Sequence, residues 1–404
     1  MTNVEILAPA GNLEKLKTAI DFGADAVYLG GSRLNLRAFA DNFTNEEIGE
    51  GVKYAHQRGK KVYVVLNVFP HNSDLIGLEE YLLELQKLEV DAILASDPSI
   101  IITAKEVVPD MEIHLSTQAN NVNWKSALYW YNQGVKRIVL ARELSMKEIS
   151  EIREKLPKDC DLEAFVHGAM CMSYSGRCLM SNYMTGRDSN RGACAQPCRY
   201  KYYLMEEKRP GEYFPINEDE HGTYIMNSKD LCMIEHIDEV IKAGVFSLKI
   251  EGRMKSAYYV AAVVKAYRQA VDAYLKDPEN YKFNPEWMDS LLKVSHRNYY
   301  TGFYYGQPEQ IYDNSSYIRQ ADIVGIVLEY DKETQIATIQ QKNKVFDGDE
   351  VEILRPEGPA FNVTLDDMRE NNGTKIDSAP RAEMIFKVKV DKELKEKDFL
   401  VKNK

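Results

Sequence analysis

Long apolar runs are missing from this sequence. No stretch approaches the roughly 18 apolar residues of a membrane span, and Met1-Thr2-Asn3-Val4-Glu5-Ile6 lacks the basic segment and apolar stretch of a signal peptide. The expectation is a cytoplasmic protein with no membrane partner. Cysteine is scarce, with six in 404 residues, which excludes a disulfide scaffold and, in a reducing compartment, turns attention to metal or redox chemistry. Net positive charge is lacking too: the formal charge is -11 and the pI about 5.3, so a nucleic acid would have to be held by a local basic patch. There is no internal repeat, no low-complexity tract and no dinucleotide-type glycine fingerprint. The His-Glu-x-x-His helix and the Gly-x-Ser-x-Gly elbow of two common hydrolase classes are absent as well.

What is present is the composition of a globular chain, 44% hydrophobic and 28% charged, long enough for one large domain and a small one. Eight short apolar, β-branched runs stand out: Val4–Ala8, Ala26–Leu29, Lys61–Asn67, Ala92–Ser96, Glu112–Gln118, Arg137–Ala141, Asp161–His167 and Phe246–Glu251. Segments of helical period separate them, which predicts an α/β chain of the (β/α)8 TIM type. The connection after the seventh run, 168–245, is far longer than an ordinary loop and carries five of the six cysteines. The barrel is expected over 1–306, followed by a linker over 307–320. From 321 to 404 short alternating runs broken by Asp347-Gly348-Asp349 and Asn371-Asn372-Gly373 predict a small antiparallel β-barrel.

Strand residues alternate between the barrel interior and the helix layer. On strict alternation Glu163, Phe165 and His167 face inward on the seventh strand, Ser247, Lys249 and Glu251 on the eighth, and His114, Ser116 and Gln118 on the fifth. Unpaired buried charge is costly, so a polar interior points either to a site or to a satisfied ion network. Active sites of this fold lie at strand C-termini, here Asn67, Gln118, Glu143, His167, Glu251 and Arg253. The candidate catalytic set is Glu163, His167, Lys249, Glu251 and Arg253. Lys249 and Arg253 are the expected anion contacts, and Glu163 and His167 the expected proton handlers.

Cys171, Cys178, Cys194 and Cys198 fall within one connection, and their spacing leaves zinc and iron–sulfur ligation both open. Cys160 reads as a core or surface thiol. Cys232 follows Ser228-Lys229-Asp230-Leu231 at an expected helix start, where the dipole would lower its pKa. Arg187, Arg191, Arg199 and Lys201, interleaved with Tyr200, Tyr202 and Tyr203, have the character of an RNA-binding loop.

Glu163, Phe165, Gly168, Ala169, Cys171, Gly176, Cys178 and Ser181 stand at the pattern positions of the U32 peptidase, or collagenase-like, family, which the chain resembles. The blocks at 218–231, at Ser247-Leu-Lys-Ile-Glu251-Gly-Arg253 and at 342–349 resemble its tRNA hydroxylation protein P branch. That resemblance implies prephenate-dependent 5-hydroxylation of the wobble uridine of tRNA. It also implies a [4Fe-4S] cluster on Cys171, Cys178, Cys194 and Cys198, with Cys232 the alternative to Cys198. The implied partners are tRNA, a small carboxylated metabolite and the iron–sulfur assembly machinery. Two other readings stand beside it: a collagenase-like peptidase using a Cys171–His167 thiol–imidazole pair, and a non-catalytic iron–sulfur scaffold.

Overall fold

The computed structural model describes residues 4–35, 42–171, 178–187, 189, 192–199, 203–204, 207–211, 214–215, 227–306, 310–311 and 317–404. Eight parallel strands close into a barrel. They are β1 (Glu5–Pro9), β2 (Ala26–Leu29), β3 (Lys61–Leu66), β4 (Ala92–Ala95), β5 (Glu112–Leu115), β6 (Arg137–Val139), β7 (Asp161–Ala169) and an eighth, Ser247–Ile250, which pairs with both β7 and β1. The intervening helices start where side chains satisfy the first free N–H groups. Asn12 caps α1 (Leu13–Asp21), and Thr44 with Glu47 forms a capping box on α2 (Asn45–His56). The 20-residue helix Ala257–Lys276, capped by Ser256, follows the eighth strand and buries most of its length.

Two strand ends differ from the alternation pattern. β5 stops at Leu115 because Thr117–Ala119 winds into a 3-10 turn that begins at Ser116, which carries Gln118 out of the strand. β7 is longer than expected and pairs with three strands: β6 on one side, and the eighth strand and Asp230–Cys232 in addition. Its Glu163, Ala164 and Phe165 pair with Ser247, Leu248 and Lys249; the register then slips, so that Ile250 faces His167 and Val166 is the extra residue of a bulge. Past the slip, His167, Gly168 and Ala169 pair antiparallel with Asp230–Cys232, which in turn runs parallel to Tyr299–Tyr300.

The C-terminal part is a seven-stranded antiparallel sheet in the order Phe361–Thr364, Glu350–Leu354, Phe399–Asn403, Ala321–Asp331, Ile336–Gln341, Ile385–Lys389, Asp366–Glu370. Its edge strands are consecutive in the chain, joined at the buried Leu365, so the sheet curls around a core that includes Ile339, Val351, Phe386 and Leu400. It packs on the outside of the barrel helices. The Phe22 and Phe399 rings lie 5.7 Å apart. Lys265 reaches the carbonyls of Arg355 and Gly358 at 2.6 and 2.8 Å, and Lys293 reaches Glu352 at 2.6 Å. Among the described residues no helix is long and apolar enough to cross a membrane.

Gly168 follows the bulge at φ +108°, and a Cβ there would run into the Glu251 carbonyl. Gly168→Ala should therefore cost about 2 kcal/mol or more, read as a lower urea midpoint with an unchanged slope; an unaltered midpoint would remove the steric account of this strand crossing.

Candidate active site at the barrel mouth

The barrel centre is filled by charge. Arg137 of β6, among the largest fully buried side chains, donates to Glu5 Oε1 at 2.6 Å and to Glu163 Oε2 at 3.4 Å. Tyr63 and Ser247 each donate to Glu5 at 2.7 Å, and Lys249 Nζ donates to Glu163 Oε1 at 2.6 Å. Two carboxylates thus meet two cations, and all four are buried. Burial alone would raise the Glu163 carboxyl, but Lys249 and then Arg137 hold it below its ordinary value. Burial likewise pushes the Lys249 ammonium down, with Glu163 and Glu251 opposing. His114 shares the interior, edge-on to Tyr63 at 4.8 Å and bonded to Glu112 at 2.7 Å. Burial, and next the charge of Arg137, lower its pKa.

Nearer the mouth, Lys249 Nζ sits 4.5 Å from the centre of the Tyr28 ring and 5.5 Å from that of Phe165. Tyr28 Oη lies 2.9 Å from the Ile250 carbonyl and 3.0 Å from Glu251 Oε2. Arg253 is buried just after the eighth strand, donates to Asn42 Oδ1 at 3.3 Å, and passes where a side chain on Gly30 would sit. Arg142 lays its guanidinium 3.8 Å from the Phe165 ring centre and donates to the Ala169 carbonyl at 2.9 Å. Lys249 and Glu251 thus meet at Tyr28, with Glu163 beneath Lys249 in the barrel centre and Arg253 beside Gly30.

His167 is not brought there. The bulge at Val166 reverses the alternation, and the imidazole packs among Tyr299, Tyr267 and Tyr259 at 5.3, 5.5 and 6.0 Å; the last two belong to the outer Ala257–Lys276 helix. Burial, with Lys255 and His296 adding to it, pushes its pKa down to about 3. Gln118 likewise lies outside the strand column. Three members of the interior network, Glu5, Tyr63 and Arg137, and the mouth residue Arg142 go beyond what alternation on strands five, seven and eight picks out. Glu5 was signalled only as a carboxylate between Val4 and Ile6 in an apolar run, and Arg137 as a cation opening another.

The cysteines separate into two kinds. Cys160 and Cys232 are buried, with thiols raised by burial to about 11 and about 12. Cys232 ends a strand and faces Tyr267 Oη at 3.9 Å, just before the 3-10 turn Ile234–His236; the Ile234 backbone N–H there acts to lower its pKa, but burial outweighs it. Cys171 is exposed, and Cys178, Cys194 and Cys198 are half-buried. Ser189 Oγ donates to the Cys178 carbonyl at 2.5 Å, Ala195 N–H donates to Ser181 Oγ at 2.9 Å, and Gln196 N–H donates to Cys194 Sγ at 3.3 Å. Among the described residues no three His, Cys, Asp or Glu side chains are gathered closely enough to hold a metal ion. Arg187 is exposed and donates through Nε to the Ala193 carbonyl. Arg191, Lys201 and the side chain of Arg199 lie outside the described residues.

A family model described as Peptidase family U32 matches residues 11–314, and one for the U32 C-terminal domain matches residues 319–400. The chain belongs to peptidase family U32. This U32 member is 46% identical over 403 residues to tRNA hydroxylation protein P1 of Bacillus subtilis (strain 168), covering 99% of this chain and 95% of that one. It is 39% identical to tRNA hydroxylation protein P of Escherichia coli (strain K12), over 94% and 92% of the two chains. A protein named Collagenase from Porphyromonas gingivalis (strain ATCC BAA-308 / W83) is 34% identical, over 92% and 90%.

The buried imidazole makes this U32 protein sensitive to acid. Unfolded histidine binds a proton near pH 6.5, whereas His167 resists protonation until about pH 3. Its stabilising contribution is therefore present above pH 6.5 and falls by about 1.4 kcal/mol for each pH unit between 6.5 and 3. In His167→Gln the loss of stability between pH 7.5 and 5 should shrink by about 2 kcal/mol, measured by urea unfolding at both values; an identical loss in both proteins would place the acid sensitivity elsewhere.

Proposed function

We propose that this chain is a cytoplasmic tRNA-modifying enzyme that 5-hydroxylates the wobble uridine, with prephenate as a small carboxylated co-substrate. The observation that carries the reading is the ion network of Glu163, Lys249, Arg137 and Glu5 lying beneath Glu251 and Arg253 at the barrel mouth. Barrel interiors built for stability are filled by branched apolar residues, so this arrangement supports a reaction site. Near full-length identity to proteins named for tRNA hydroxylation supports tRNA as the substrate.

In this reading Arg253 pairs with the carboxylate of the co-substrate and Lys249 polarises the group beside it. Glu163, held ionised by Arg137 and Lys249, keeps the Lys249 side chain in place. Glu251, joined to Tyr28, moves the proton at the mouth. The four accessible thiols are not gathered as they stand, but they would hold a [4Fe-4S] cluster, supplied by the iron–sulfur assembly machinery, once drawn together. They share one connection tied together by Ser181 and Ser189, and Cys194 Sγ already accepts a backbone N–H, an interaction that tunes cluster potentials. When bound, the cluster would supply one-electron transfer or structural support. The sealed Cys232 is a poor fourth ligand, which favours Cys198. Exposed Arg187 beside these thiols suits an RNA phosphate. A thiol peptidase would need Cys171 beside a titrating imidazole, and His167 is enclosed by tyrosines and held neutral.

The decisive experiment is nucleoside mass spectrometry of tRNA from cells lacking the protein. Loss of 5-hydroxyuridine and its derivatives is expected, with recovery by the wild type and none by folded, iron-loaded Arg253→Ala; unchanged tRNA would defeat the substrate assignment. Anaerobically prepared protein should contain about four iron and four sulfide per chain. Cys171→Ser and Cys178→Ser should lose them and Cys232→Ala should keep them, and iron retained in both serine variants would contradict the ligand set.

A further inference from the structure

The geometry points to Lys249 as a Schiff-base nucleophile that captures the ketone of a 2-oxo acid whose carboxylate is held by Arg253. This rests on reading the mouth as the site of a small carboxylated co-substrate, and names its reactive group and the bond it makes.

An ammonium has three N–H donors. Lys249 uses one, on Glu163 at 2.6 Å, and has no other oxygen or nitrogen partner among the described residues. Its remaining surroundings are the faces of Tyr28 and Phe165. Arg137 reaches the other oxygen of that carboxylate at 3.4 Å but binds Glu5 at 2.6 Å, so Lys249 is the nearer partner of Glu163 and keeps two further N–H donors for a ligand. The ring faces attract an ammonium, but burial disfavours its charged form here, and such desolvation is how lysines become nucleophiles at neutral pH.

The second part of the site lies on the same side of the mouth. Lys249 packs on the ring of Tyr28 of β2, and Arg253 passes beside Gly30, two residues further along the chain. Arginine's planar fork suits the carboxylate and lysine's single nitrogen suits the ketone. Prephenate carries a 2-oxo acid arm, as do simpler aryl 2-oxo acids.

The step balances without an oxidant or reductant. The ammonium gives a proton to Glu163, and the amine nitrogen bonds to the carbonyl carbon. The former carbonyl oxygen takes up protons and leaves as water. The product is a protonated imine with the charge the ammonium had. Glu163 is the group within proton-transfer distance.

The test uses holoprotein, with phenylpyruvate as probe and phenyllactate, which has no ketone, as control, each with sodium cyanoborohydride. One reduced adduct per chain, mapped to Lys249 by peptide mass spectrometry, is expected with phenylpyruvate and none with phenyllactate. Lys249→Arg should lose the adduct, and Glu163→Gln should form it about 10²-fold more slowly. The wild-type map decides the matter even where a variant fails to fold. Absence of an adduct, or labelling spread over surface lysines and undiminished in Lys249→Arg, would overturn the inference and leave Lys249 as an anion contact. An adduct on Lys249 in a protein whose deletion leaves tRNA nucleosides unchanged would uphold this inference while removing the tRNA reading.

Discussion

Two carboxylates, Glu163 and Glu5, are buried inside the barrel together with the two cations Arg137 and Lys249, and much of the molecule follows from that pairing. Taking four charges out of water is unfavourable, and attraction between them offsets the cost only when the geometry is tight. Tyr63 and Ser247 complete the hydrogen bonding of Glu5, so strands β1, β3, β6, β7 and the eighth are tied through one polar centre. An apolar filling would serve stability at least as well. The charged one makes sense where an amine and a carboxylate have to be presented to a ligand entering from the mouth.

β7 joins this centre to the cysteine-bearing connection. Its first half belongs to the barrel, and past the bulge its last residues turn their pairing toward Asp230–Cys232. The bulge therefore decides which side chains serve chemistry. Glu163 and Phe165 face inward, whereas His167 is given to the helix layer, where its ring organises a cluster of tyrosines.

The eight strands were legible because each is a short apolar run bounded by helical periodicity, and Glu163 and Lys249 were legible as charges in such runs. Arginine and tyrosine partners were harder to see: Arg137 sits at a strand's first residue, where a cation reads as solvent-facing. Alternation alone puts His167 on the wrong face because it carries no mark of an inserted residue; the glycine at 168 is the available hint. The helix start after Cys232 is legible, but the three-residue strand that it closes is defined by partners more than 60 residues away on either side, so nothing periodic in the local sequence announces its burial. Arg142 and its neighbour Glu143 are equally polar after a strand end, and only the packing of Arg142 on Phe165 tells them apart.

The antiparallel pairing of Ala169 with Asp230 means that the long connection leaves the barrel and returns to it at adjacent positions. Its two ends are pinned by the same short ladder whatever lies between them. Closing a loop between fixed ends grows costlier only with the logarithm of its length, about 0.6 kcal/mol per doubling. A change in the length of this connection therefore costs the barrel little in chain entropy, and Glu5, Arg137, Glu163 and Lys249 can stay where they are. Over evolutionary time such an arrangement lets a lineage exchange the macromolecule it engages and retain the small-molecule chemistry beneath.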